Sequence, residues 1–138
     1  MNIHNYDSKI SGLSGIELAA HREKQAIHHE SDPSGLKAHD KGAKLDSGKV
    51  RPSLIFSDMP RALLAVSEVA TFGAEKYSDG GWVSVPDGIK RYTDAMDRHR
   101  LAVSDTDEQS GLSHAAHLAW NALARLELML REDAKPNG

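Results

Sequence analysis

Ser110-Gly111-Leu112-Ser113-His114-Ala115-Ala116-His117 runs into Leu118-Ala119-Trp120-Asn121-Ala122-Leu123-Ala124-Arg125-Leu126 and on to Arg131 with no proline or glycine after Gly111. Ala115, Leu118, Ala119, Ala122, Leu126 and Met129 recur at helical spacing and make a wide apolar stripe. Ser110 or Ser113 can cap the first free N–H groups. The stretch predicts a long last helix to about Arg131 whose first turn carries two imidazoles. His114, His117 and Asn121 stand at i, i+3 and i+7, so they share one side, away from the stripe.

Working back along the chain, Ser104–Gln109 is an acidic loop with Asp105, Asp107 and Glu108. Before it, Pro86-Asp87-Gly88 opens a helix from about Ile89 to Val103, its apolar side formed by Ile89, Tyr92, Met96 and Val103. Another helix begins near Ser57, with Asp58 as cap and Pro60 in the first turn, where a missing N–H is harmless. Ser78-Asp79-Gly80-Gly81 ends it, and Trp82 and Val83 fold back on that end. Residues 30–53 are broken by Pro33, Gly35, Gly42, Gly48 and Pro52 and read as a long loop; only Lys49–Phe56 has an extended flavour. Residues 16–29 can form a thin amphipathic helix that needs a partner surface such as another subunit. The fold class is therefore all-α: a compact bundle of about three to four helices with a long N-terminal loop region. Residues 1–43 read as a flexible extension with one possible helix, 44–133 as the helical domain, and 134–138 as a frayed tail.

A chain of 138 residues suits one domain. It has no cysteine, which excludes disulfides and thiolate metal sites. The 17 Lys and Arg against 20 Asp and Glu argue against a duplex nucleic-acid binder, which would carry a basic surface. No apolar run approaches the roughly 20 residues of a membrane span, and no signal peptide is visible, so the expected location is the cytoplasm.

Four constellations could carry chemistry. His114 and His117 can ligate a metal or move protons, or can simply bond nearby backbone. Glu68 and Glu75 on one helix face can hold Mg²⁺, or can form a solvated face. Asp94, Asp97, Arg98 and His99 offer a surface ion pair and an imidazole near the apolar side, where a buried histidine competes with a ligand. Lys44, Lys49, Arg51, Lys76 and Arg98 can neutralise phosphate, or serve solubility. Ser47-Gly48-Lys49 is not a P-loop, because the upstream glycine and strand are missing. His39-Asp40 is the one His-Asp dipeptide and lies in the glycine-rich loop rather than on a helix. Acids, imidazoles and scattered cations together suit a phosphorylated ligand with a divalent ion.

In order along the chain, Lys49-Val50-Arg51-Pro52-Ser53-Leu54-Ile55, then Thr71-Phe72-Gly73-Ala74-Glu75-Lys76-Tyr77 with Trp82, then Arg98-His99, Asp107, Ser110-Gly111-Leu112-Ser113-His114, His117 and Trp120-Asn121-Ala122-Leu123 follow one known pattern. The chain resembles, over roughly residues 44–131, the phage-associated dATP/dGTP diphosphohydrolase domain, grouped with the MazG-like helical pyrophosphohydrolases. The resemblance implies an all-α nucleotide-binding domain, Mg²⁺ or Mn²⁺, cleavage of a nucleoside triphosphate to monophosphate and pyrophosphate, and assembly as a dimer or tetramer. By position the family's residues fall on Lys49, Arg51, Lys76, Arg98, His99, Asp107, Ser110, His114, His117 and Asn121. Two departures stand out. The paired Glu-x-x-Glu and Glu-x-x-Asp of MazG-like sites are missing, and Gln109 stands where a Glu often precedes the serine.

The resulting expectation is a metal-dependent purine nucleotide pyrophosphohydrolase. Glu68, Glu75 and Asp107 are its metal-side acids, and His114, His117 and Asp107 its catalytic groups. Lys49, Arg51, Lys76, Arg98, His99, Ser110 and Asn121 bind substrate. The alternative is a non-catalytic nucleotide-binding protein that sequesters a nucleotide or nucleotide signal. A third reading is a purely structural helical module.

Overall fold

The computed structural model describes residues 30–134. The chain divides into two compact units, Met1–Arg51 and Pro52–Gly138. The helix expected over residues 16–29 lies outside the described residues.

In the first unit, residues 30–51 form turns without a helix or strand. Their anchor is Asp32, whose Oδ1 accepts the Ser34 N–H at 2.7 Å and whose Oδ2 accepts the Lys44 N–H at 2.6 Å. The Lys44 N–H, then that of Ser34, holds this carboxyl below the usual range. The Ser47 N–H donates to the Ser31 carbonyl at 3.0 Å and closes the loop. One buried carboxylate thus satisfies backbone donors that a solvated linker would leave to water.

The second unit is helical. It holds α1 (Ser53–Phe56), α2 (Pro60–Lys76), a 3₁₀ turn (Gly81–Ser84), α3 (Gly88–Leu101) and α4 (His114–Asp133). Among the described residues there is no strand, only an isolated bridge between Thr106 and Ser113. The extended reading of Lys49–Phe56 is corrected at its second half. The Pro52 carbonyl accepts the N–H groups of Ile55 and Phe56, closing α1 as a single turn. The cap of α2 is also corrected. Met59, not Asp58, is its N-cap, without a side-chain bond, and Pro60 stands at the start as expected. The helix stops at Lys76, and Gly80 takes the left-handed conformation (φ 68°) that launches the 3₁₀ turn.

The chief packing is α3 against α4, which run antiparallel. At one end Gly88 is buried, and a Cβ there would lie 2.7 Å from Leu128 Cδ1, so the absent side chain sets how close the helices come. Midway, Arg125 Nε donates to Thr93 Oγ1 at 2.9 Å. The aromatic rings of Trp82, Tyr92 and Trp120 meet edge to face with centroids 5.6–6.4 Å apart, tying the 3₁₀ turn to both helices. The Tyr92 hydroxyl donates to the Trp82 carbonyl at 2.8 Å. Ala102 turns extended and ends α3 at Leu101, so Val103 is not on its apolar side but fully exposed.

The buried face of α4 is not the expected stripe. Ala116, His117, Asn121 and Ala124 are buried, while Leu126 remains 50% exposed. The helix carries apolar residues around much of its circumference, and α3 packs on the side that also bears His117 and Asn121. No described helix is long and apolar enough to cross a membrane.

Replacing Tyr92 by Phe keeps the ring contacts but strips the Trp82 carbonyl of its donor. The expected loss is about 1 kcal/mol, or roughly 5 °C in Tm, by thermal unfolding followed with circular dichroism. An unchanged Tm would show that this bond does not hold the 3₁₀ turn.

Candidate functional site

Residues 104–113 link α3 to α4 and turn tightly. The Asp107 N–H donates to the Leu112 carbonyl at 2.8 Å, the Gly111 N–H returns to the Asp107 carbonyl at 2.8 Å, and the His114 N–H reaches the Asp105 carbonyl at 3.0 Å. Gly111 has φ 70°, so a residue that tolerates the left-handed region is needed there. Ser113, one of the two expected caps, takes the role: its Oγ accepts the Ala115 N–H at 3.1 Å. This start of α4 faces the last turn of α3, and His99, His114 and His117 meet there.

The His99 ring stacks on His117, centroids 4.4 Å apart and planes 10° from parallel, and lies 5.1 Å from the His114 ring. Nδ1 of His99 is 2.8 Å from Nδ1 of His114. Ser104 Oγ donates to the Thr106 carbonyl at 3.1 Å and lies 3.2 Å from His114 Nε2. On the other side, Asp107 Oδ1 accepts both the N–H and the hydroxyl of Ser110, each at 2.9 Å. His117 Nε2 lies 2.7 Å from the same Ser110 oxygen and 4.0 Å from Asp107 Oδ1. Because the hydroxyl proton goes to the carboxylate, the imidazole donates its Nε2–H to Ser110.

The electrostatics follow from this geometry. Burial, then repulsion from His117 and His114, pushes His99 below the usual imidazole range, with Asp107 opposing. Burial likewise lowers His117, again against Asp107. The Ser110 N–H, helped by its hydroxyl, holds Asp107 below the usual carboxylate range despite partial burial. At neutral pH the site therefore presents a carboxylate beside the neutral rings of His99 and His117.

The remaining expected residues fall as follows. Lys76 ends α2 and donates to Gln109 Oε1 at 2.8 Å, which brings it to the loop of Asp107 and Ser110. Arg98 precedes His99 in the last turn of α3, is exposed, and forms no ion pair among the described residues. Asn121 is buried, and its amide donates to the His117 carbonyl at 2.8 Å, one turn back on its own helix. Glu68 and Glu75 are exposed on α2. Lys49 and Arg51 belong to the first unit, where Lys49 Nζ lies 3.7 Å from Glu30.

Among the described residues, His99, Asp107 and His114 form the one group whose ligand atoms all lie within 4.8 Å of each other. Glu68 and Glu75 are not part of it. The donor set is two imidazoles and a carboxylate, which fits a divalent ion that accepts nitrogen and fits poorly the all-oxygen preference of Mg²⁺. Sequence reasoning missed Ser104, because an isolated loop serine carries no signal. Gln109, a departure from the family pattern in the sequence, is the residue that accepts the Lys76 bond.

A family model described as dATP/dGTP diphosphohydrolase, N-terminal, matches residues 39–136, and the chain belongs to this family. A protein of Salmonella phage PMBT28 named dATP/dGTP diphosphohydrolase is 40% identical over 81 residues. That alignment covers 56% of this chain but only 26% of the phage protein, so the chain spans a small part of that relative's length. No solved structure matches the chain.

Ser113→Ala removes the cap from the turn that bears His114 and His117. The expected cost is about 1 kcal/mol in urea unfolding, with faster amide exchange at Ala115 and Ala116. Unchanged exchange would mean that the loop pairing alone fixes the start of α4.

Proposed function

We propose that this chain hydrolyses purine deoxynucleoside triphosphates of the dATP/dGTP class to monophosphate and pyrophosphate, at the cluster of His99, Asp107, Ser110, His114 and His117. One observation carries the reading: five residues from two helices and their connecting loop, all within the span of the family match, converge around one carboxylate. Water attacking the α-phosphorus forms a new P–O bond, and the bridging oxygen leaves with pyrophosphate. The proton of that water is taken up by the neutral His117 ring, within an array where Asp107 and His117 flank the Ser110 hydroxyl and the carboxylate stabilises the charged imidazole. Lys76 and Arg98 lie on the elements that border this loop and supply positive charge to the phosphates. Asn121, spent on its own helix beneath His117, acts as a positioning residue in this reading. A divalent ion held by the cluster would add positive charge for the transferring phosphoryl group.

The test is product analysis by ion-exchange chromatography after incubation with each dNTP and NTP and a divalent ion. Equal amounts of dAMP or dGMP and pyrophosphate are expected, and Asp107→Asn should lower kcat about 10²- to 10³-fold. Absence of pyrophosphate with every nucleotide overturns the reading. Tight binding of a nucleotide that is recovered intact would instead favour sequestration.

We infer further that the helical unit associates with a second copy of itself. Support comes from its sparse interior. Among the described residues no large side chain is fully buried, and the buried apolar ones are Val69, Ala116 and Ala124. Meanwhile Leu123 and Leu126 border an apolar groove of about 390 Å³ between α2 and α4, and Leu64 and Met129 are also exposed. An exposed apolar surface of this kind marks an interaction site. Light scattering coupled to size exclusion should give a dimer or larger, and Leu126→Glu should give monomer. A wild-type monomer at micromolar concentration counts against the inference.

A further inference from the structure

We propose that Nδ1 of His99, Nδ1 of His114 and the free carboxylate oxygen of Asp107 form a binding site for one nitrogen-preferring first-row ion, such as Co²⁺ or Zn²⁺, that discriminates against Mg²⁺. The resemblance at the level of sequence implies Mg²⁺ or Mn²⁺ held by acids, and the donors gathered here are of another kind.

The Ser104 hydroxyl spends its proton on the Thr106 carbonyl, so its oxygen accepts from His114 Nε2–H. A neutral His114 ring protonated at Nε2 is bare at Nδ1. That bare nitrogen faces Nδ1 of His99 at 2.8 Å, so the His99 ring donates its Nδ1–H to it, a shared proton that an ion bound by both rings would replace. Asp107 commits Oδ1 to two bonds from Ser110, whereas Oδ2 has no hydrogen-bond partner among the described residues. One ring nitrogen of each histidine and one carboxylate oxygen of Asp107 lie within 4.8 Å of one another.

The outer contacts resemble those that hold ligands in metal sites, where each ligating group is oriented by a second bond. Ser104 fixes the His114 ring, Ser110 fixes the carboxylate, and His117 stacks beneath His99 at 4.4 Å while its own Nε2 is used on Ser110. His117 therefore supports the site without being one of its ligands. Imidazole nitrogen selects the later first-row ions, while Mg²⁺ demands oxygen and keeps its waters. Three protein ligands leave coordination positions open, as in metal sites that accept a further oxygen ligand. This inference does not rest on the hydrolase reading, since an ion binds here whether or not a nucleotide is cleaved.

The experiment titrates Co²⁺ into chelator-treated full-length chain and follows the visible d–d absorption. Saturation near one equivalent is expected. Zn²⁺ should bleach the band, and a 100-fold excess of Mg²⁺ should leave it. His99→Ala and His114→Ala should each weaken Co²⁺ at least ~100-fold, and Ser104→Ala about 10-fold. A measurement on the wild type guards against unfolded variants. Zn²⁺ should shift the ¹⁵N resonances of Nδ1 in His99 and His114 and leave Nε2 of His117 protonated. The proposal is overturned by a Co²⁺ signal that persists in both histidine variants, by displacement with equimolar Mg²⁺, or by Nδ1 resonances that ignore Zn²⁺. That last result would mean that the two rings share only a proton.

Discussion

The antiparallel packing of α3 on α4 decides where the imidazoles of the candidate site lie. At its far end the contact is close because Gly88 has no side chain to hold Leu128 away. At its near end the same axis places the last turn of α3 beside the first turn of α4, so His99 meets His114 and His117 across the joint. The connecting loop cannot wander, since its backbone bonds at Asp107, Gly111 and His114 fix the turn.

The interior of this helical unit is unusual in being partly polar. His117 and Asn121 occupy positions on α4 that apolar residues would normally fill, at 8% and 5% exposure. Burying them is tolerable because their bonding groups have partners close by. Asn121 donates to its own helix, and His117 donates to a serine already committed to a carboxylate. The apolar side chains displaced from this face remain on the surface, which is where the unit offers area for association.

Much of this was legible in the sequence. Prolines, glycines and apolar spacing located α2, α3 and α4, and Ser113 was one of two expected caps. Helical spacing offered only His114, His117 and Asn121 together, and the family resemblance added Asp107 and Ser110. The face of α4 that is buried was not legible, because apolar residues on both sides of a helix leave periodicity without a unique answer. The neighbours of His99 were not legible for a related reason. Its spacing from Tyr92 and Met96 suggested an apolar environment, but partners from another helix surround it. Pairings across a helix joint depend on the crossing of two elements, which no spacing within either one records.

Glu68 and Glu75 show the opposite limit. Two carboxylates at i and i+7 on one helix face look like a hard-ion site, yet a metal site needs ligands that converge from separate elements. Both are exposed on α2, and among the described residues neither joins a group of ligands. The converging donors come instead from an α3 imidazole, a loop carboxylate and an α4 imidazole. The sharper signal was therefore the unmatched chemistry: a chain within a diphosphohydrolase family that lacks paired acidic motifs but carries imidazoles at a helix joint. If the charge those acids would organise is needed for phosphate chemistry, imidazole nitrogen is the donor this fold has available to organise it.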